Sequence, residues 1–466
     1  MQQADRKRYR LGFDVGGTFT DFAVYDEESG SVLTAKVLTT PANPADGVIT
    51  GLRQIAQEYG IALSDIHQAV HHGTTLIINA LIERKGARTG LITTRGFRDV
   101  LEFQREFRYD IYDLNLVFPS PLVPRFLRKE VTERTLYDGT ILTPLQQDEA
   151  EQVVRELLDQ GVEAIAVCLL HSYKNPAHER IIGEIVTRLA PQVALSLSSD
   201  ILAELREYER TVLTVMNAYV QPLARRYLTH LHTRLREEGF QDVWHVMASN
   251  GGVLTVEKAA TYPVRTLESG PVGGALAAAY YGKLTGFTDL LSFDMGGTTA
   301  KSCVIQKGEI SITTDYEVAR AKRFKKGSGF PVKLPIVDMI EIGAGGGSIA
   351  RIDELGLITV GPESAGANPG PACYGLGGEE PTVTDANLIL GYLNPDYFLG
   401  GAMRLDRDAS LRAIQKIADP LGMTPVEAAW GIHEIVNTNM AEAARTHMVE
   451  RGVDARTLTL FAYGGA

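Results

Sequence analysis

The chain has 466 residues, of which 44% are hydrophobic and 22% are charged, a composition typical of a globular protein with two or three domains. Its net charge of −11 argues against nucleic acid or an anionic membrane surface as a partner. No apolar run is long enough to cross a bilayer, and residues 1–10 lack a signal-peptide core, so we expect a cytoplasmic protein.

The first predicted element is a hairpin at residues 11–21, where an apolar strand leads through a Gly-Gly turn into a second strand. Glycines leave backbone N–H groups uncovered, so the turn can wrap an anionic oxygen. Asp14 ends the first strand, where it would repel a phosphate unless a cation lay between them, and bound Mg²⁺ is therefore implied. The predicted phosphate contacts are Gly16, Gly17, Thr18 and Thr20.

Two helices are predicted next, at residues 43–60 and 76–82, with the motif His-Gly-Thr-Thr at residues 72–75 between them. At a strand-to-helix junction this motif presents N–H groups and hydroxyls to an anion or a polar substrate. We take His72 as a candidate catalytic residue and Thr74 as a candidate substrate contact. A helix N-cap beside a structural histidine is an equally open interpretation.

Residues 103–124 are dense in Arg, Tyr, Asp, Phe and Pro without a period, which makes them a candidate substrate or partner region. A long helical stretch follows Glu204, and we expect Pro222 to break it. We predict two lobes, residues 1–198 and residues 199–466.

The hairpin recurs at residues 291–301, and an offset of 280 residues aligns Asp14 with Asp294. An internal repeat outweighs any local pattern, so Asp14 and Asp294 are both candidates for catalysis and for the metal. Lys301 either neutralises charge there or is an ordinary surface lysine. The predicted phosphate contacts of this copy are Gly296, Gly297, Thr298 and Thr299.

Two further loops are rich in glycine. Residues 268–274 run into a predicted helix, which suits a phosphate or a close helix crossing. Residues 343–348 have four glycines in five positions, which permits close approach to a ligand or makes a mobile linker. Their apolar flanks favour a buried loop, and we predict cofactor contacts for Gly345 and Gly346.

The third cysteine, Cys373, lies in a turn-rich loop at residues 368–375, where we expect its side chain to be displayed. A structural role is favoured over a catalytic one. Asp385 with Asn387 is interpreted as a helix cap. The other two cysteines fall in apolar strand-like runs and are predicted to be core residues: Cys168 and Cys303.

The chain ends on residues 458–466, a strand that leads into the glycine turn at Gly464 and Gly465. Such a turn should open a helix. We therefore expect a piece of a longer protein.

With these motifs together, the sequence resembles the hydantoinase A/oxoprolinase family of ATP-dependent lactam hydrolases and their ketone-carboxylase relatives. The resemblance covers essentially the whole chain. It rests on the motifs at residues 14–21, 72–75 with Asn79, 207–210, 269–271, 294–299, 343–348, 361–366, 373–375 and 382–387.

The resemblance implies an α/β fold of the actin/Hsp70/sugar-kinase type, in which two RNase-H-like lobes enclose ATP and Mg²⁺. Gly464 and Gly465 resemble the start of the adenosine motif. Family members are longer, which implies a missing C-terminal part and leaves independent ATP affinity open. A hydantoinase B-type partner subunit, and so a hetero-oligomer, is also implied.

The implied reaction is phosphorylation of the carbonyl oxygen of a cyclic amide or imide, such as a hydantoin or 5-oxoproline, followed by ring opening. One alternative is a ketone carboxylase subunit that phosphorylates an enol. Two others are a sugar-kinase-like phosphotransferase and a non-catalytic ATP-binding switch.

Overall fold

The computed structural model describes residues 8–16, 19–40, 43–67, 71–74, 76–322 and 325–465, with the backbone alone described at 71–74. Within them, no helix is both long enough and apolar enough to span a membrane. The strands are β1 (Tyr9–Val15), β2 (Phe19–Asp26), β3 (Val32–Leu38), β4 (His71–Thr74), β5 (Thr89–Thr94), β6 (Arg128–Val131), β7 (Arg134–Thr135), β8 (Ile141–Thr143), β9 (Ala164–Cys168), β10 (Ala194–Leu197), β11 (His245–Met247), β12 (Val253–Thr255), β13 (Leu290–Met295), β14 (Ala300–Gln306), β15 (Glu309–Ile310), β16 (Ile312–Thr313), β17 (Tyr316–Val318), β18 (Phe330–Val332), β19 (Ile336–Val337), β20 (Met339–Ile342), β21 (Ser348–Ile352), β22 (Ile358–Ser364) and β23 (Thr459–Tyr463). The helices are α1 (Pro44–Tyr59), α2 (Leu76–Ile82), α3 (Val100–Phe103), α4 (Gln147–Asp159), α5 (Ala177–Leu189), α6 (Ser198–Ile201), α7 (Glu207–Glu237), α8 (Val256–Thr261), α9 (Ser269–Thr285), α10 (Val383–Ile389), α11 (Arg407–Leu421) and α12 (Pro425–Glu450).

Six strands form the first sheet, in the order β12-β11-β4-β1-β2-β3. The neighbours β1, β2 and β3 are antiparallel, whereas β4 runs parallel to β1 and β11 parallel to β4. Leu11, Phe13 and Val15 alternate along β1 and pack into the core with α1. The intervening residues Gly12 and Asp14 line a cleft on the opposite face.

The second sheet repeats this arrangement, in the order β15-β14-β13-β23, and β20 also pairs with β14. Here β13 and β14 form the antiparallel hairpin and β23 runs parallel to β13, as β4 does to β1. The registers agree, because Asp14 lies opposite Asp21 and Asp294 lies opposite Lys301. Two such units are the RNase-H-like repeats of an actin-like α/β fold, so the predicted fold class is confirmed.

A third, fully parallel sheet in the order β10-β9-β5-β6 lies between β4 and β11 along the chain. Strands β11 and β12 follow residue 199 but join the first sheet. That sheet therefore draws strands from both sides of the predicted division. The division into residues 1–198 and 199–466 stays a prediction.

Helix α7 is continuous over 31 residues with Pro222 inside it, so the predicted break is wrong. Its first half, including Val212 and Met216, packs into the core of the parallel sheet. Its second half, including Tyr227 and Leu231, packs into the core of the first sheet. A proline inside a helix costs about 3 kcal/mol, and burial of several large side chains on either side exceeds that cost.

His447, in the last turn of α12, is 2% exposed, and its Nε2 atom has no hydrogen-bond partner among the described residues. The pKa of His447 is lowered to about 4, first by burial and then by the neighbouring Arg451 guanidinium. Asp338, which forms an ion pair with Arg451, acts in the opposite direction.

We expect His447 to make the protein less stable as the pH falls below about 6.5, the ordinary histidine pKa. In the unfolded chain His447 takes up a proton near pH 6.5, whereas in the folded protein it takes up a proton only near pH 4. This difference amounts to about 2 kcal/mol at pH 5. His447→Gln should flatten the pH dependence of the free energy of unfolding between pH 7 and 4. Identical pH profiles for His447→Gln and the wild type would contradict the expectation.

Candidate active site

Asp14 lies near the end of β1, on the cleft face of the first sheet. Its Oδ1 atom is buried and has no hydrogen-bond partner in the part of the chain that the structure describes. Gly270, at the N-terminal end of α9, lies so close that a Cβ atom there would come within 2.8 Å of Asp14 Oδ1. Because a buried carboxylate oxygen without a partner is costly, this atom fits a cation brought by a ligand.

The two candidate carboxylates share one electrostatic environment. The pKa of Asp14 is raised to about 6, first by burial and then by the carboxylates of Asp21 and Asp294, whereas Lys301 and Lys36 act in the opposite direction. Burial likewise raises the pKa of Asp294, and the same two lysines oppose it. A bound cation would lower the pKa of both carboxyl groups and so favour their ionised forms.

These carboxylates fit a Mg²⁺ ion that is held jointly with phosphate. Among the described residues, no group of three or more His, Cys, Asp or Glu could hold a metal ion. Mg²⁺ commonly takes one or two carboxylates and completes its octahedral shell with water and phosphate oxygens. Asp14 and Asp294 suit that mode, and their role as metal ligands stays a prediction.

Lys301 is buried, so its interpretation as a surface lysine is wrong. Its Nζ donates to Glu268 Oε2 at 2.9 Å and forms an ion pair with Glu341 Oε1 at 3.5 Å. Tyr316 Oη donates to the other Glu268 oxygen at 2.6 Å. Burial alone would lower the pKa of Lys301, but Glu268, Glu341 and Asp294 outweigh it and hold that pKa above its ordinary value.

The two hairpins carry equivalent ion pairs of opposite polarity. In the first repeat, Asp21 on β2 lies opposite Lys36 on β3, and their side chains are 2.6 Å apart. In the second repeat, Lys301 on β14 lies opposite Glu341 on β20. Thus β20 takes the place of β3, and the acidic and basic partners have exchanged strands.

A cleft of about 840 Å³ opens beside these groups. Its floor includes Gly12 and Ala23, which are register partners, and a Cβ atom on Gly12 would meet no atom within 4 Å. The walls come from α9 and from a loop of the second half, so the cleft has room for a small organic substrate. The lining includes Asp14, Asp21, Lys36, Met247, Gly270, Gly273, Leu399 and Gly400.

The glycine loop after β20 supports the turn of the second hairpin. The N–H of Gly346 donates to the Gly296 carbonyl at 3.1 Å, and that of Gly347 donates to the Gly297 carbonyl at 2.6 Å. A Cβ atom on Gly345 would lie 2.6 Å from the Gly296 oxygen. This segment is therefore a buried loop, and its glycines allow backbone to pack on backbone. Cofactor contacts by Gly345 and Gly346 stay predictions.

The first hairpin turn is closed by Gly16 N–H, which donates to the Phe19 carbonyl at 2.9 Å. Thr39 Oγ1 donates to the Gly16 carbonyl at 2.9 Å and lies 3.1 Å from Thr20 Oγ1. The Thr20 hydroxyl is buried in this contact, so it braces the turn. Two predicted phosphate contacts lie outside the described residues: Gly17 and Thr18.

The second hairpin turn is closed in the same way, by Gly296 N–H and the Thr299 carbonyl at 3.0 Å. Thr298 is exposed beside it, whereas Thr299 is half-buried. Gly464 follows β23 with φ +119°, and a Cβ atom there would lie 2.3 Å from the Met295 oxygen. The phosphate contacts predicted for Gly296, Gly297, Thr298 and Thr299, and the cofactor contacts predicted for Gly464 and Gly465, stay predictions.

His72 lies on β4, where its backbone is the register partner of Phe13, and Gly73 is the partner of Asp14. This places the backbone of the motif beside the first carboxylate. The side chains of His72 and Thr74 lie outside the described residues.

Cys373 is fully buried, so the expected display of its side chain is wrong. The loop packs inward because Asp385 accepts hydrogen bonds from the Cys373 N–H at 2.9 Å and from the Thr382 hydroxyl at 2.7 Å. Asp385 and Thr382 form a capping box on α10, which confirms the cap interpretation for Asp385. Asn387 instead contacts His433, at 3.1 Å between Oδ1 and Nδ1.

Sequence reasoning missed three charged residues of the site: Lys36, Glu268 and Glu341. The repeat offset was an available signal, because it aligns Lys301 with Asp21 and so marks a position where charge changes sign. The strand partners of these two residues are far away in sequence, and no local pattern identifies them.

Sequence comparison places this architecture among known proteins. The hydantoinase/oxoprolinase profile matches residues 210–466, and the profile of the hydantoinase/oxoprolinase N-terminal region matches residues 10–190. An uncharacterized protein of Methanocaldococcus jannaschii is 42% identical over 98% of this chain and 67% of its own length. The caprolactamase alpha subunit of Pseudomonas jessenii is 37% identical over 99% of this chain and 66% of its own length. This chain thus spans about two thirds of the length of these relatives.

Solved structures agree with the sequence matches. The ATP-dependent caprolactamase of Pseudomonas jessenii superposes with a TM-score of 0.80 at 37% identity, over 98% of this chain and 66% of that one. Nucleotide-free acetone carboxylase superposes with a TM-score of 0.86 at 34% identity, over 98% of this chain and 66% of that one.

We expect Gly345→Ala to lower the free energy of unfolding by about 1–3 kcal/mol, because the added methyl group overlaps the Gly296 carbonyl. Gly183→Ala is the control. Gly183 lies inside α5, where alanine favours helix, and its added Cβ atom would lie 3.4 Å from Leu195, an ordinary van der Waals distance. Denaturant unfolding of both variants checks this. Equal free energies of unfolding for Gly345→Ala and wild type would contradict the close contact between Gly345 and the Gly296 carbonyl.

We expect none of the three thiols to react with a disulfide reagent in the native protein. Cys168, Cys303 and Cys373 are all buried, and burial raises the pKa of each thiol. Titration should detect three thiols in denaturant and none before unfolding. Rapid reaction of one thiol in the native state would contradict the buried placement.

Proposed function

This chain belongs to the hydantoinase/oxoprolinase family, and we propose that it uses ATP to open the ring of a cyclic amide or imide, such as a hydantoin or 5-oxoproline. The observation that carries the proposal is the pair of repeated hairpins, which bring Asp294 near enough to Asp14 to raise its pKa, while Asp14 lines a ligand-sized cleft. Similarity to caprolactamase supports a lactam as the substrate class.

The chemical problem is that an amide carbonyl is a poor electrophile. In the proposed reaction its oxygen forms a bond to the γ-phosphorus of ATP, the bond from that phosphorus to the bridging oxygen breaks, and ADP leaves with the electron pair. Loss of the amide proton gives an imidate-like phosphate, which water attacks at carbon. Overall, one lactam, one ATP and two waters give the ring-opened amino acid, ADP and phosphate.

The residues of this chain would mainly supply position and charge. Asp14 and Asp294 would hold Mg²⁺ or orient water, and bound Mg²⁺ would neutralise phosphate charge. The hairpin turns would present backbone N–H groups beyond Gly16 and Gly296 to phosphate oxygens, because the N–H groups of those two glycines already close the turns. The buried Lys301 would limit repulsion between the two carboxylates, in keeping with its effect on the pKa of each.

The floor of the cleft suits the ring of the substrate, because Gly12 and Ala23 leave space next to Asp14. His72 and Thr74 remain our candidates for contacts with its polar groups. A hydantoinase B-type partner subunit is proposed, since the similar caprolactamase chain is named as an alpha subunit. A cytoplasmic location stays a prediction.

A second candidate is a ketone carboxylase subunit. The similarity to acetone carboxylase, whose nucleotide-free structure superposes over 98% of this chain, favours it. The shared step is phosphorylation of an oxygen, here of an enol that then attacks carbon dioxide. Both candidate functions assign the same roles to Asp14 and Asp294, and the identity of the substrate distinguishes one function from the other.

The test is ATP hydrolysis by the complete protein together with its partner subunit, across hydantoins, 5-oxoproline, simple lactams, and ketones with bicarbonate. We expect one cyclic amide to stimulate turnover and Asp294→Asn to lower that rate by about 10²–10³-fold, as for loss of one transition-state contact. Asp159→Asn, at an exposed position that ends α4, is the matched control. Stimulation by ketones alone would favour the carboxylase, and no stimulation by any compound would refute O-phosphorylation.

A further inference from the structure

We infer that Lys36 binds the phosphoryl group that is transferred and is therefore a catalytic residue. Lys36 belongs to the cross-strand ion pair, which is the second feature that the two repeats share. This inference rests on the proposed function, because it assigns a role within the same site. Lys36 lies on β3, outside both hairpin motifs, and lines the cleft together with Asp14 and Asp21.

The ammonium group of Lys36 is available to a ligand. Its side chain is 30% exposed, and its carboxylate partner Asp21 is 51% exposed, with 2.6 Å between Nζ and Oδ1. An ion pair with so much solvent contact contributes little to stability, and its members can exchange partners. A phosphate carries more charge than a carboxylate and accepts stronger hydrogen bonds from an ammonium group.

Lys301, its counterpart in the other repeat, is not available in this way. That side chain is 8% exposed, and its ammonium group is held by Glu268 and Glu341. These two carboxylates fix its position, so it lowers the pKa of Asp14 and Asp294 from the framework but is not free to move to a ligand. Of these two equivalent ion pairs, only the first presents its cation to the cleft.

Lys36 also reaches from one lobe to the other. A Cβ atom on Gly465, just after β23 of the second sheet, would lie 3.1 Å from Lys36 Nζ. The ammonium group lies 4.8 Å from the centre of the Phe19 ring, which holds it beside the first hairpin turn. Its position between the turns of both sheets is where the proposed nucleotide phosphates would lie.

The charge balance of the cleft calls for such a cation. Asp14 and Asp21 line this cleft, Asp21 raises the pKa of both Asp14 and Asp294, and Asp294 raises that of Asp14. A triphosphate would add further negative charge. Lys36 would move from Asp21 to a non-bridging oxygen of the terminal phosphoryl group and stabilise the charge that develops there as it is transferred.

The experiment compares Lys36→Met and Lys36→Arg with wild type in the complete protein, and uses Lys85→Met as a matched control. Lys85 is 75% exposed and pairs with Glu83 on the surface. Equilibrium binding of the Mg²⁺ complexes of ADP and of adenylyl imidodiphosphate is measured with substrate-stimulated ATP turnover. Thermal unfolding verifies that each variant is folded.

We expect Lys36→Met to lower turnover by about 10²-fold or more. It should weaken binding of the triphosphate analogue by about 10-fold and leave ADP binding within about 2-fold, because ADP lacks the terminal group. Lys36→Arg should restore most of the loss, and Lys85→Met should match wild type. Equal weakening of both nucleotides, or turnover within about 3-fold of wild type, would overturn the assignment.

A second variant separates the effect of losing the ion pair from the effect of losing Lys36. Asp21→Asn removes the carboxylate that competes for Lys36, so binding of the triphosphate analogue should tighten several-fold, and this gain should vanish in the Asp21→Asn, Lys36→Met double variant. A gain that persists without Lys36 would overturn the inference. These binding measurements hold even if no compound stimulates ATP turnover, so failure of the proposed function and failure of this inference are distinguishable.

Discussion

Mutual repulsion among carboxylates beside a single cleft is the constraint on which this site depends. Asp14 and Asp294 come from two different sheets, and Asp21 lies beside them. Burial and the neighbouring negative charges both favour the protonated forms of Asp14 and Asp294, and the nearby lysines only partly offset this. Bound cations would therefore favour the ionised forms of these carboxylates, and the proposed complex of Mg²⁺ with a nucleotide would bring such a cation.

Close contact between backbones makes this proximity possible. Gly270 brings the start of α9 against Asp14, and Gly345 brings the loop after β20 against the second hairpin turn. Gly464 does the same at the end of β23. A side chain at any of these positions would overlap a backbone or carboxylate oxygen, so these glycines serve packing as much as ligand contact. Glycine-rich sequence alone does not distinguish the two uses.

The fold contains two hairpins with one geometry and different electrostatics. The same register position holds Asp21 in one repeat and Lys301 in the other, each with an oppositely charged partner on the third strand. One pair is half-exposed at the cleft, and the other is buried with Glu268. The two ion pairs thus differ in role, because Lys301 is fixed in the framework while Lys36 remains accessible to a ligand.

The sequence by itself determined the repeat and the two hairpins with their carboxylates, because these depend on local pattern and on spacing along one chain. The actin-like class was implied by the resemblance of its motifs to the hydantoinase A/oxoprolinase family. Helices α1 and α2 follow from apolar periodicity in the same way. Only the tertiary structure decided that Pro222 lies within a continuous helix, since burial of both halves of α7 outweighs the local cost. It also decided that Cys373 is buried and that Lys301 is held by Glu268 and Glu341. Those outcomes depend on partners tens of residues away, and the free energy of burying or pairing a side chain is set by neighbours that local sequence does not contain.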